Sequence, residues 1–487
     1  IYFKDRANRT RPQGLKDKDL VIKSSNLCVH GDTLILTDQG EIKIAEVCDK
    51  EITVWNGEEW STVVPTRTSY AAKLLKVTTT SGKELLCTEY HKFYIYKDSE
   101  VVEVRAVDLV SGDMLEAYTD HKDSSLKIVH NVATIDHVEG THPTYCFTEQ
   151  KRHKGVFNGI LTGNCSEILI PTNEERTAVC CLSSLNVEYF DEWKDTTIVE
   201  DAIEYLDYIL QYFIDRADKQ HLSKAIYSAT QCRSLGLGTM GFHYYLQKNN
   251  IAFESGGFGS AVQANHKIYK HIKERALAKS IQLGQELGVA PDMEGYEDAR
   301  RNVDLMAIAP NSNSGVIMQS SPSIDPLARN IFAQTTRAGT YQVKNKYLEA
   351  ILHDLAVENN YDEEWVGEQW KSIDKHHGSV QHLAYLSEHQ KQVFKTAYEI
   401  DQHWVVQHAD DRAQYICQSQ PVNLFFQAGV DKAYFNSVHM KAMKSEFVKT
   451  LYYCRMESEV VTADSKSTVD ATKLIDWKAE ECVACSG

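Results

Sequence analysis

The sequence is poor in proline and glycine: its 487 residues include 9 of the first and 25 of the second. It has no run of lysine and arginine, and its formal net charge is −16. It also has no apolar run near the roughly 20 residues that a membrane-spanning helix needs. These absences argue against a collagen-like chain, a nucleic-acid partner and a membrane partner. With 43% hydrophobic residues, the chain can instead bury several cores.

Two further absences concern the start of the chain and its compartment. The sequence does not begin with methionine. Charged residues start at Lys4, so the opening residues are not expected to be a signal peptide. The opening residues are typical of the middle of a domain, so we expect a fragment or a processed product of a cytoplasmic protein. Its twelve cysteines are then expected to be reduced thiols, some with chemical roles, and not a disulfide scaffold.

A β-rich segment begins near residue 28 and extends to about Asn164. Within it, residues 33–47 and 74–96 combine alternating polarity, β-branched side chains and glycine turns, which predicts β-hairpins. The segment is therefore predicted to be an all-β unit.

Beyond this segment, helical spacing alternates with short apolar stretches. A helix is predicted across 199–213. The same spacing near the end predicts another helix, from Met440, Met443, Phe447 and Leu451. Three apolar stretches are expected as strands: 168–170, 179–187 and 235–243. The alternation favours βα units and a mostly parallel sheet or barrel.

Four motifs follow one another in residues 28–164. CVHGDTLILTDQGEIKIAEV opens the segment, CTEYHKF contains Thr88 and His91, YCFTEQKRHKGVFNGILTGN closes it, and Asn164 is followed by Cys165. In this order they resemble the motifs of an intein, a domain that excises itself from its host chain. The resemblance implies an all-β Hint (horseshoe) domain, whose 137 residues leave no room for a homing endonuclease.

The resemblance also implies the chemistry of splicing. Cys28 attacks the carbonyl carbon of Leu27 and forms a thioester, while Thr88 and His91 polarise that peptide bond and protonate its leaving nitrogen. Cys165 then accepts the acyl group as the second nucleophile. An S-to-N shift finally joins Leu27 to Cys165.

Release of the segment depends on its last residue. Asn164 cyclises through its side-chain amide and cleaves its bond to Cys165, with His153 as the expected helper. The segment departs from the family pattern at two positions, since Gly163 stands where a histidine is usual and Cys146 where an aspartate is common. These departures put the assisting groups and the splicing rate in question.

Removal of residues 28–164 would leave 350 residues with Asn26, Cys165 and Glu167 at alternate positions. In an extended segment, this period of two puts all three side chains on one face. A thiol between a carboxamide and a carboxylate is a candidate catalytic constellation. Because the spacing exists only after removal, the insert is predicted to interrupt an active site.

Further motifs accompany this joint. They are TAVCCLSSLN (177–186), RSLGLGTMG (233–241), APNSNSG (309–315), CQSQPVNLFF (417–426), KTLYYCR (449–455) and a terminus with two cysteines. Together with the joint, they resemble the C-terminal portion of the large (α) subunit of class I ribonucleotide reductase, over essentially all of the 350 residues. The resemblance implies an α/β fold, namely part of a ten-stranded α/β barrel.

The two resemblances predict nested domains. Residues 1–27 and 165–456 are the two segments of the reductase barrel, 28–164 are the mini-intein, and 457–487 are a flexible redox tail.

The reductase resemblance implies a role for each matching residue. Cys165 forms the transient thiyl radical that abstracts the 3′-hydrogen of the ribose. Glu167 takes the proton of the 3′-hydroxyl, and Asn26 hydrogen-bonds the substrate. Cys180 is one of two cysteines that reduce the ribose by forming a disulfide, and its partner belongs to the family's upstream half.

The remaining roles concern the radical relay, the reducing tail and the phosphates. Tyr452 and Tyr453 match the stacked pair that relays the radical, with Tyr452 nearer to Cys165. Cys482 and Cys485 match the tail pair that re-reduces the active-site disulfide. The loop that binds the substrate phosphates matches Ser312, Asn313 and Ser314.

The resemblance implies no metal or cofactor bound directly by this chain. The radical comes from the metallocofactor of the small (β) subunit, thioredoxin or glutaredoxin supplies the external dithiol, and the substrate is a nucleoside diphosphate. Allosteric nucleotides are expected in the N-terminal half, which is either missing from this sequence or supplied by a second polypeptide.

Two alternatives stay open. An adenosylcobalamin-dependent reductase also has the N-x-C-x-E joint and would not need the tyrosine pair. Otherwise, the splicing element occupies a host fragment that is no longer functional. Half a zinc site at the terminal CxxC is disfavoured, because no second CxxC or HxxxH accompanies it. Cysteines without an assigned role are interpreted as structural: Cys48, Cys87, Cys181, Cys232, Cys417 and Cys454.

Overall fold

The computed structural model describes residues 4–457, with the exception of 19, 21–28, 90, 98–99, 124, 148, 150–153, 164–167, 174, 221 and 337–338. None of the helices among these residues combines the length and the apolar character that crossing a membrane requires.

The α-helices of the described residues lie before or after the β-rich segment. They are α1 (Lys4–Arg9), α2 (Gln13–Asp17), α3 (Phe190–Trp193), α4 (Ile198–Arg216), α5 (Ser223–Cys232), α6 (Phe242–Lys248), α7 (Ala261–Leu287), α8 (Ser312–Ile317), α9 (Lys346–Asn359), α10 (Glu363–Lys375), α11 (Glu388–Val393), α12 (Gln402–Ala413) and α13 (Lys432–Lys444). The helix predicted across 199–213 is confirmed as α4, which buries Val199, Ile203 and Leu206 at helical spacing.

The β-rich segment contains strands β1 to β16. They are β1 (Val29–His30), β2 (Leu34–Thr37), β3 (Gly40–Lys43), β4 (Ile52–Trp55), β5 (Trp60–Val63), β6 (Thr66–Ala72), β7 (Leu75–Thr79), β8 (Glu84–Cys87), β9 (Lys92–Lys97), β10 (Glu100–Arg105), β11 (Tyr118–Thr119), β12 (Lys127–Ile128), β13 (Val132–His137), β14 (His142–Cys146), β15 (Lys154–Phe157) and β16 (Ile160–Gly163). The later strands are β17 (Cys181–Asn186), β18 (Leu235–Met240), β19 (Ile331–Thr336), β20 (Gly339–Lys344), β21 (Val422–Phe426) and β22 (Leu451–Met456).

Strands β1 to β16 build one antiparallel unit, here called the β body (residues 29–163). One sheet has the order β13-β7-β8-β1-β14-β6, and the other has the order β10-β9-β16-β15-β2-β4-β5 with β3 beside β2. The predicted hairpins are present as β2–β3 and β7–β8. In β7, Leu75, Val77 and Thr79 are buried while the residues between them are half-buried, as the alternation predicts. Side chains of both sheets, including Val29, Phe93 and Phe157, share one core.

The residues before the β body pack against residues that follow it. Leu15 of α2 lies in one buried cluster with Ile170 and Met293, and Ala7 of α1 packs with Leu169. Hydrogen bonds join the same parts of the chain: Arg6, Arg9 and Lys18 donate to the carbonyl oxygens of Val448, Glu446 and Pro291, each at 2.9 Å. The chain therefore forms one packed unit from segments on either side of the β body.

This second unit contains the predicted parallel strand pairs. β17 pairs in parallel with β18 and β21 with β22, whereas β19 and β20 form an antiparallel hairpin. Of the strands predicted from apolar stretches, 168–170 is not a strand, because the amide of Leu169 donates to the side chain of Gln418 at 3.0 Å and not to a neighbouring strand. Among the described residues, the strands close no barrel.

Glycines in RSLGLGTMG allow close packing of β18. A Cβ atom at Gly238 would lie 2.7 Å from the carbonyl oxygen of Ala307, and one at Gly236 would lie 2.3 Å from Leu182 of the neighbouring strand. Both distances are shorter than van der Waals contact. Gly238 is required because it meets backbone, whereas a Cβ at Gly236 would displace the end of the Leu182 side chain.

The helix predicted from Met440 to Leu451 is only partly correct. α13 ends at Lys444, and Leu451 begins β22. Ser445 redirects the chain with ψ 147°, because its hydroxyl donates to Asp410 and accepts from the amide of Val448. Met440 is 40% exposed and faces no core.

A buried carboxylate anchors the N-terminal segment to the second unit. Asp292 has a fully buried side chain, and it accepts hydrogen bonds from Arg176, one of them at 3.0 Å, and from Lys18 at 2.9 Å. Burial works to raise the pKa of this carboxyl, but the Arg176 and Lys18 cations outweigh burial and hold the pKa below its ordinary value.

We therefore expect Asp292→Asn to destabilise the second unit by about 3–5 kcal/mol, because it leaves the buried Arg176 without its counter-charge. The matched variant Lys18→Met should cost less than about 1 kcal/mol, since Lys18 is 39% exposed. The stabilisation from Asp292 should be full above its ordinary pKa of 3.8 and disappear as the pH falls through its lower folded-state pKa. Urea midpoints of the two variants test this, and equal midpoints would contradict it.

Candidate functional site

Except for Ser312 and Asn313, of which only the backbone is described, the site residues predicted from the sequence fall into two groups. Those outside the described residues are Asn26, Cys28, His153, Asn164, Cys165, Glu167, Cys482 and Cys485. Those whose side chains are described are Thr88, His91, Cys180, Ser314, Tyr452 and Tyr453.

Thr88 and His91 lie in the turn between β8 and β9, and both ends of the β body meet this turn. At one end, Val29 pairs with Cys87, the residue before Thr88. At the other end, Thr162 pairs with Phe93, two residues after His91. The amide of His91 donates to the carbonyl oxygen of Thr88 at 2.9 Å and closes the turn. One turn is thus adjacent to the first and the last strands of the β body.

His91 has the environment of a neutral imidazole. Its side chain is fully buried, and burial lowers its pKa to about 3. Nε2 lies 2.8 Å from the hydroxyl of Thr162, while Nδ1 has no hydrogen-bond partner among the described residues. A neutral ring has one nitrogen that donates and one that accepts, so His91 can exchange a proton with a neighbouring peptide group.

The β body also buries a carboxylate that sequence reasoning missed. Glu149 is fully buried and accepts a hydrogen bond from Nδ2 of Asn56 at 3.3 Å. It follows β14, whose last residue, Cys146, is itself buried. A buried acid therefore lies three residues beyond the end of β14.

Cys180 lies immediately before β17, and Gln418 connects it to the segment after the β body. Nε2 of Gln418 donates to Sγ of Cys180 at 3.2 Å, and Oε1 of Gln418 accepts from the amide of Leu169 at 3.0 Å. Burial raises the pKa of the Cys180 thiol, so this thiol is protonated at neutral pH. Gln418 thus holds the chain four residues after Cys165 beside a protonated thiol.

Lys449 fixes the loop that carries Gln418. Its ammonium is 4% exposed and donates to the carbonyl oxygens of Ile416, Cys417 and Gln418 at 2.9, 2.6 and 2.8 Å. Burial lowers the pKa of Lys449 to about 8. No local pattern indicates these contacts, since lysine in KTLYYCR is compatible with an exposed position.

Tyr452 and Tyr453 lie against each other, with their ring planes tilted by 45°, because β22 contains a bulge. Val422 pairs with Leu451, but Leu424 pairs with Cys454. The two tyrosines therefore oppose the single residue Asn423, and a bulge of this kind re-aims consecutive side chains. Their ring centroids are 3.9 Å apart and their hydroxyl oxygens 3.0 Å apart.

Asn423 holds this bulge in place. Its Oδ1 accepts from the amide of Tyr453 at 3.2 Å, and its Nδ2 donates to Asp325 at 2.6 Å. Burial raises the pKa of the Asp325 carboxyl to about 6.

The predicted phosphate loop begins α8 at Ser312. Ser314 is exposed, and the side chains of Ser312 and Asn313 lie outside the described part of the structure. Asn311, directly before the helix, donates to the hydroxyl of Ser184 at 3.0 Å and to the carbonyl oxygen of Thr239 at 3.3 Å. The loop is thereby fixed to β17 and β18, where Cys180 also lies.

Cys417 is interpreted from the sequence as a structural cysteine, but its thiol lies beside the ammonium of Lys273. Burial works to raise the pKa of its thiol, but the Lys273 ammonium, 2.8 Å from Sγ, outweighs burial and lowers it. Lys273 is 144 residues away in the sequence, so no local motif indicates the pair.

The chain is similar to known proteins over most of its length. A family model described as "Ribonucleotide reductase, barrel domain" matches residues 1–302 and 295–454. The ribonucleoside-diphosphate reductase large subunit of Invertebrate iridescent virus 6 is 46% identical over 329 residues, which are 67% of this chain and 33% of that protein. The putative large subunit of Frog virus 3 (isolate Goorha) is 41% identical over 325 residues, 66% of this chain and 54% of that protein.

A solved structure is also similar. The class Id ribonucleotide reductase alpha subunit of Actinobacillus ureae has a TM-score of 0.54 and 38% sequence identity, covering 61% of this chain and 53% of that chain. The chain spans between a third and about half of the length of the two curated viral relatives.

The Cys417–Lys273 contact predicts a measurable thiol reactivity. Lys273→Met should raise the pKa of Cys417 and slow its alkylation by iodoacetamide at pH 8, by about tenfold for each pKa unit. Lys273→Arg, which keeps the cation, should largely preserve the rate. Peptide mass mapping of the alkylated cysteines gives both rates, and an unchanged pH profile in Lys273→Met would disprove the role of the ammonium.

Proposed function

Because the chain belongs to the ribonucleotide reductase barrel-domain family, we propose that it is a precursor of a ribonucleoside-diphosphate reductase large subunit. In this proposal, residues 28–164 are a mini-intein that removes itself by protein splicing. The spliced product reduces ribonucleotides to deoxyribonucleotides by thiyl-radical chemistry once its N-terminal part and its partners are supplied.

One observation carries the splicing proposal: the turn of Thr88 and His91 is adjacent to both ends of the β body. Val29 and Thr162 pair with the strands on either side of this turn. Splicing breaks one bond at each end of the excised segment, so the assisting groups must be near both bonds. The neutral, buried ring of His91 can accept the proton of the Cys28 thiol and pass it to the nitrogen released at the upstream bond.

The packing of the flanks supports insertion into a reductase. Residues 4–20 pack on residues after 167, and the β body has a core of its own. The two viral relatives match 67% and 66% of this chain. This share is close to the share of residues that lie outside 28–164, which is 350 of 487.

The splicing steps follow from thiol and amide chemistry. The thiol of Cys28 attacks the carbonyl of Leu27, and the peptide bond becomes a thioester with release of the Cys28 amine. The thiol of Cys165 then displaces that of Cys28. Asn164 cyclises to a succinimide and releases the amine of Cys165, which attacks the thioester and forms the Leu27–Cys165 peptide bond. His153 assists the cyclisation.

In the spliced product, Cys165 becomes the radical residue, with Glu167 as the base for the 3′-hydroxyl and Asn26 as a substrate ligand. Cys180 supplies one of the two reducing thiols. The bridge from Gln418 to Leu169 supports this assignment, because it holds the chain next to Cys165 close to Cys180.

The tyrosine pair, the tail and the phosphate loop complete the proposed site. Tyr452 and Tyr453 relay the radical, which suits their short hydroxyl separation of 3.0 Å. Cys482 and Cys485 re-reduce the active-site disulfide. The substrate phosphates bind at Ser312, Asn313 and Ser314.

The proposed partners follow from these roles. They are a small (β) subunit whose metallocofactor generates the radical, thioredoxin or glutaredoxin as the reductant, and a nucleoside diphosphate as the substrate. Allosteric nucleotides bind to the N-terminal half, and the reaction takes place in the cytoplasm. An adenosylcobalamin-dependent enzyme is the less favoured proposal, since the relatives are named as large or alpha subunits of ribonucleoside-diphosphate reductases.

The precursor should be inactive as a reductase, because the β body separates Asn26 from Cys165. With the N-terminal half, small subunit and reductant of a related enzyme supplied, we expect the splice-blocked chain (Cys28→Ala with Asn164→Ala) to turn over at least about 10²-fold more slowly than a chain in which residue 27 is joined directly to 165 in the gene. Equal turnover would refute the proposal. Two inactive chains would favour a host fragment that has lost its function.

A further inference from the structure

The β body contacts the tyrosine pair through two residues of β9. The ammonium of Lys92 donates a hydrogen bond to the hydroxyl of Tyr452 and lies 4.8 Å from the centre of its ring. The hydroxyl of Tyr94 lies 3.3 Å from that of Tyr453. These four side chains form one contact between the β body and the second unit. The contacting residues are some 360 positions apart in the sequence.

Side chains along β9 point alternately into the core and to the outer face of the β body. Phe93 points into the core of the β body and is fully buried. Lys92 and Tyr94 lie on the opposite face of the strand, which is the outer face of the β body. They are nevertheless only 7% and 5% exposed, and side chains of the second unit contact both of them. A lysine on the outer face of a sheet is ordinarily solvated, so its burial marks an interface.

Neighbouring charges fix Tyr94 in this position. The ammonium of Lys154 lies 4.2 Å from the centre of the Tyr94 ring, and it forms an ion pair with Glu116 at 2.5 Å. The cation over the ring and the carboxylate behind it hold Tyr94 from the side of the β body, so the surface is preformed.

We infer that the outer face of β9 is a docking surface for the Tyr452–Tyr453 pair, and that excision of the β body uncovers this pair. The second part rests on the proposed function. Docking blocks access to the tyrosine pair in two ways. It excludes a protein partner from the phenols, since Tyr452 is only 3% exposed. It also sets an ammonium against the hydroxyl of Tyr452, and an ammonium has no lone pair with which to accept a phenolic proton.

The surface is continuous with the splicing turn, because Lys92 directly follows His91. In the unexcised chain, the proposed reductase site is thereby blocked at two places. The β body separates Cys165 from Asn26, and it covers the tyrosine pair. A single excision event removes both obstacles.

Tyrosine nitration tests the docking in the full splice-blocked chain. Tetranitromethane should nitrate Tyr452 and Tyr453 slowly, relative to the exposed reference Tyr212, which is 68% exposed. Replacing both contact residues by a small strand-forming residue, Lys92→Thr with Tyr94→Thr, should raise this relative rate severalfold. The control, Lys43→Thr with Lys76→Thr, changes two lysines that each pair with a carboxylate of the β body. It should leave the nitration rate unchanged.

A reciprocal variant keeps the test decisive if the first one unfolds the β body, which faster nitration of Tyr145, a residue buried in the core of that body, would reveal. Tyr452→Leu with Tyr453→Leu alters the second unit only, and it should raise acetylation of Lys92 by acetic anhydride severalfold relative to Lys76. Unchanged labelling in both variants would overturn the docking surface. Neither readout requires splicing or turnover, so failure of the proposed function leaves this result interpretable.

Discussion

The antiparallel pairing of both ends of the β body beside one turn is the constraint on which the rest of the structure depends. Val29 and Thr162 are 133 positions apart, yet they pair with strands that a four-residue turn connects. The chain therefore enters and leaves the β body at nearly the same place. This closeness lets the segments on either side pack together as one unit around Asp292 and the Leu15 cluster.

The second unit is built around contacts that single residues make to several separate segments of the chain. Gln418 reaches Leu169, Cys180 and the carbonyl oxygen of Leu235, and Lys449 holds the backbone of the Gln418 loop. Because β22 begins two residues after Lys449 and contains the tyrosine bulge, the thiol and the tyrosine pair have a fixed relation. The β body then adds a second contact to that pair through β9.

Local patterns predicted much of this structure. The hairpins and α4 could be predicted because the burial of each residue follows the period of its own strand or helix. The end of α13 could not, since it depends on a hydroxyl of Ser445 that bonds to Asp410. At the candidate site, a motif predicts roles for Thr88 and His91, whereas the Lys92–Tyr452 contact and the Lys273–Cys417 pair join distant residues and have no local signal.

The most direct test of the account is the intact mass of the chain after expression. Self-excision predicts two products, a ligated chain of 350 residues and a free domain of 137 residues. His91→Ala should leave most of the chain at full length, because the upstream bond then lacks its proton donor. A single full-length species from the unaltered chain, stable under conditions in which the β body is folded, would contradict the account.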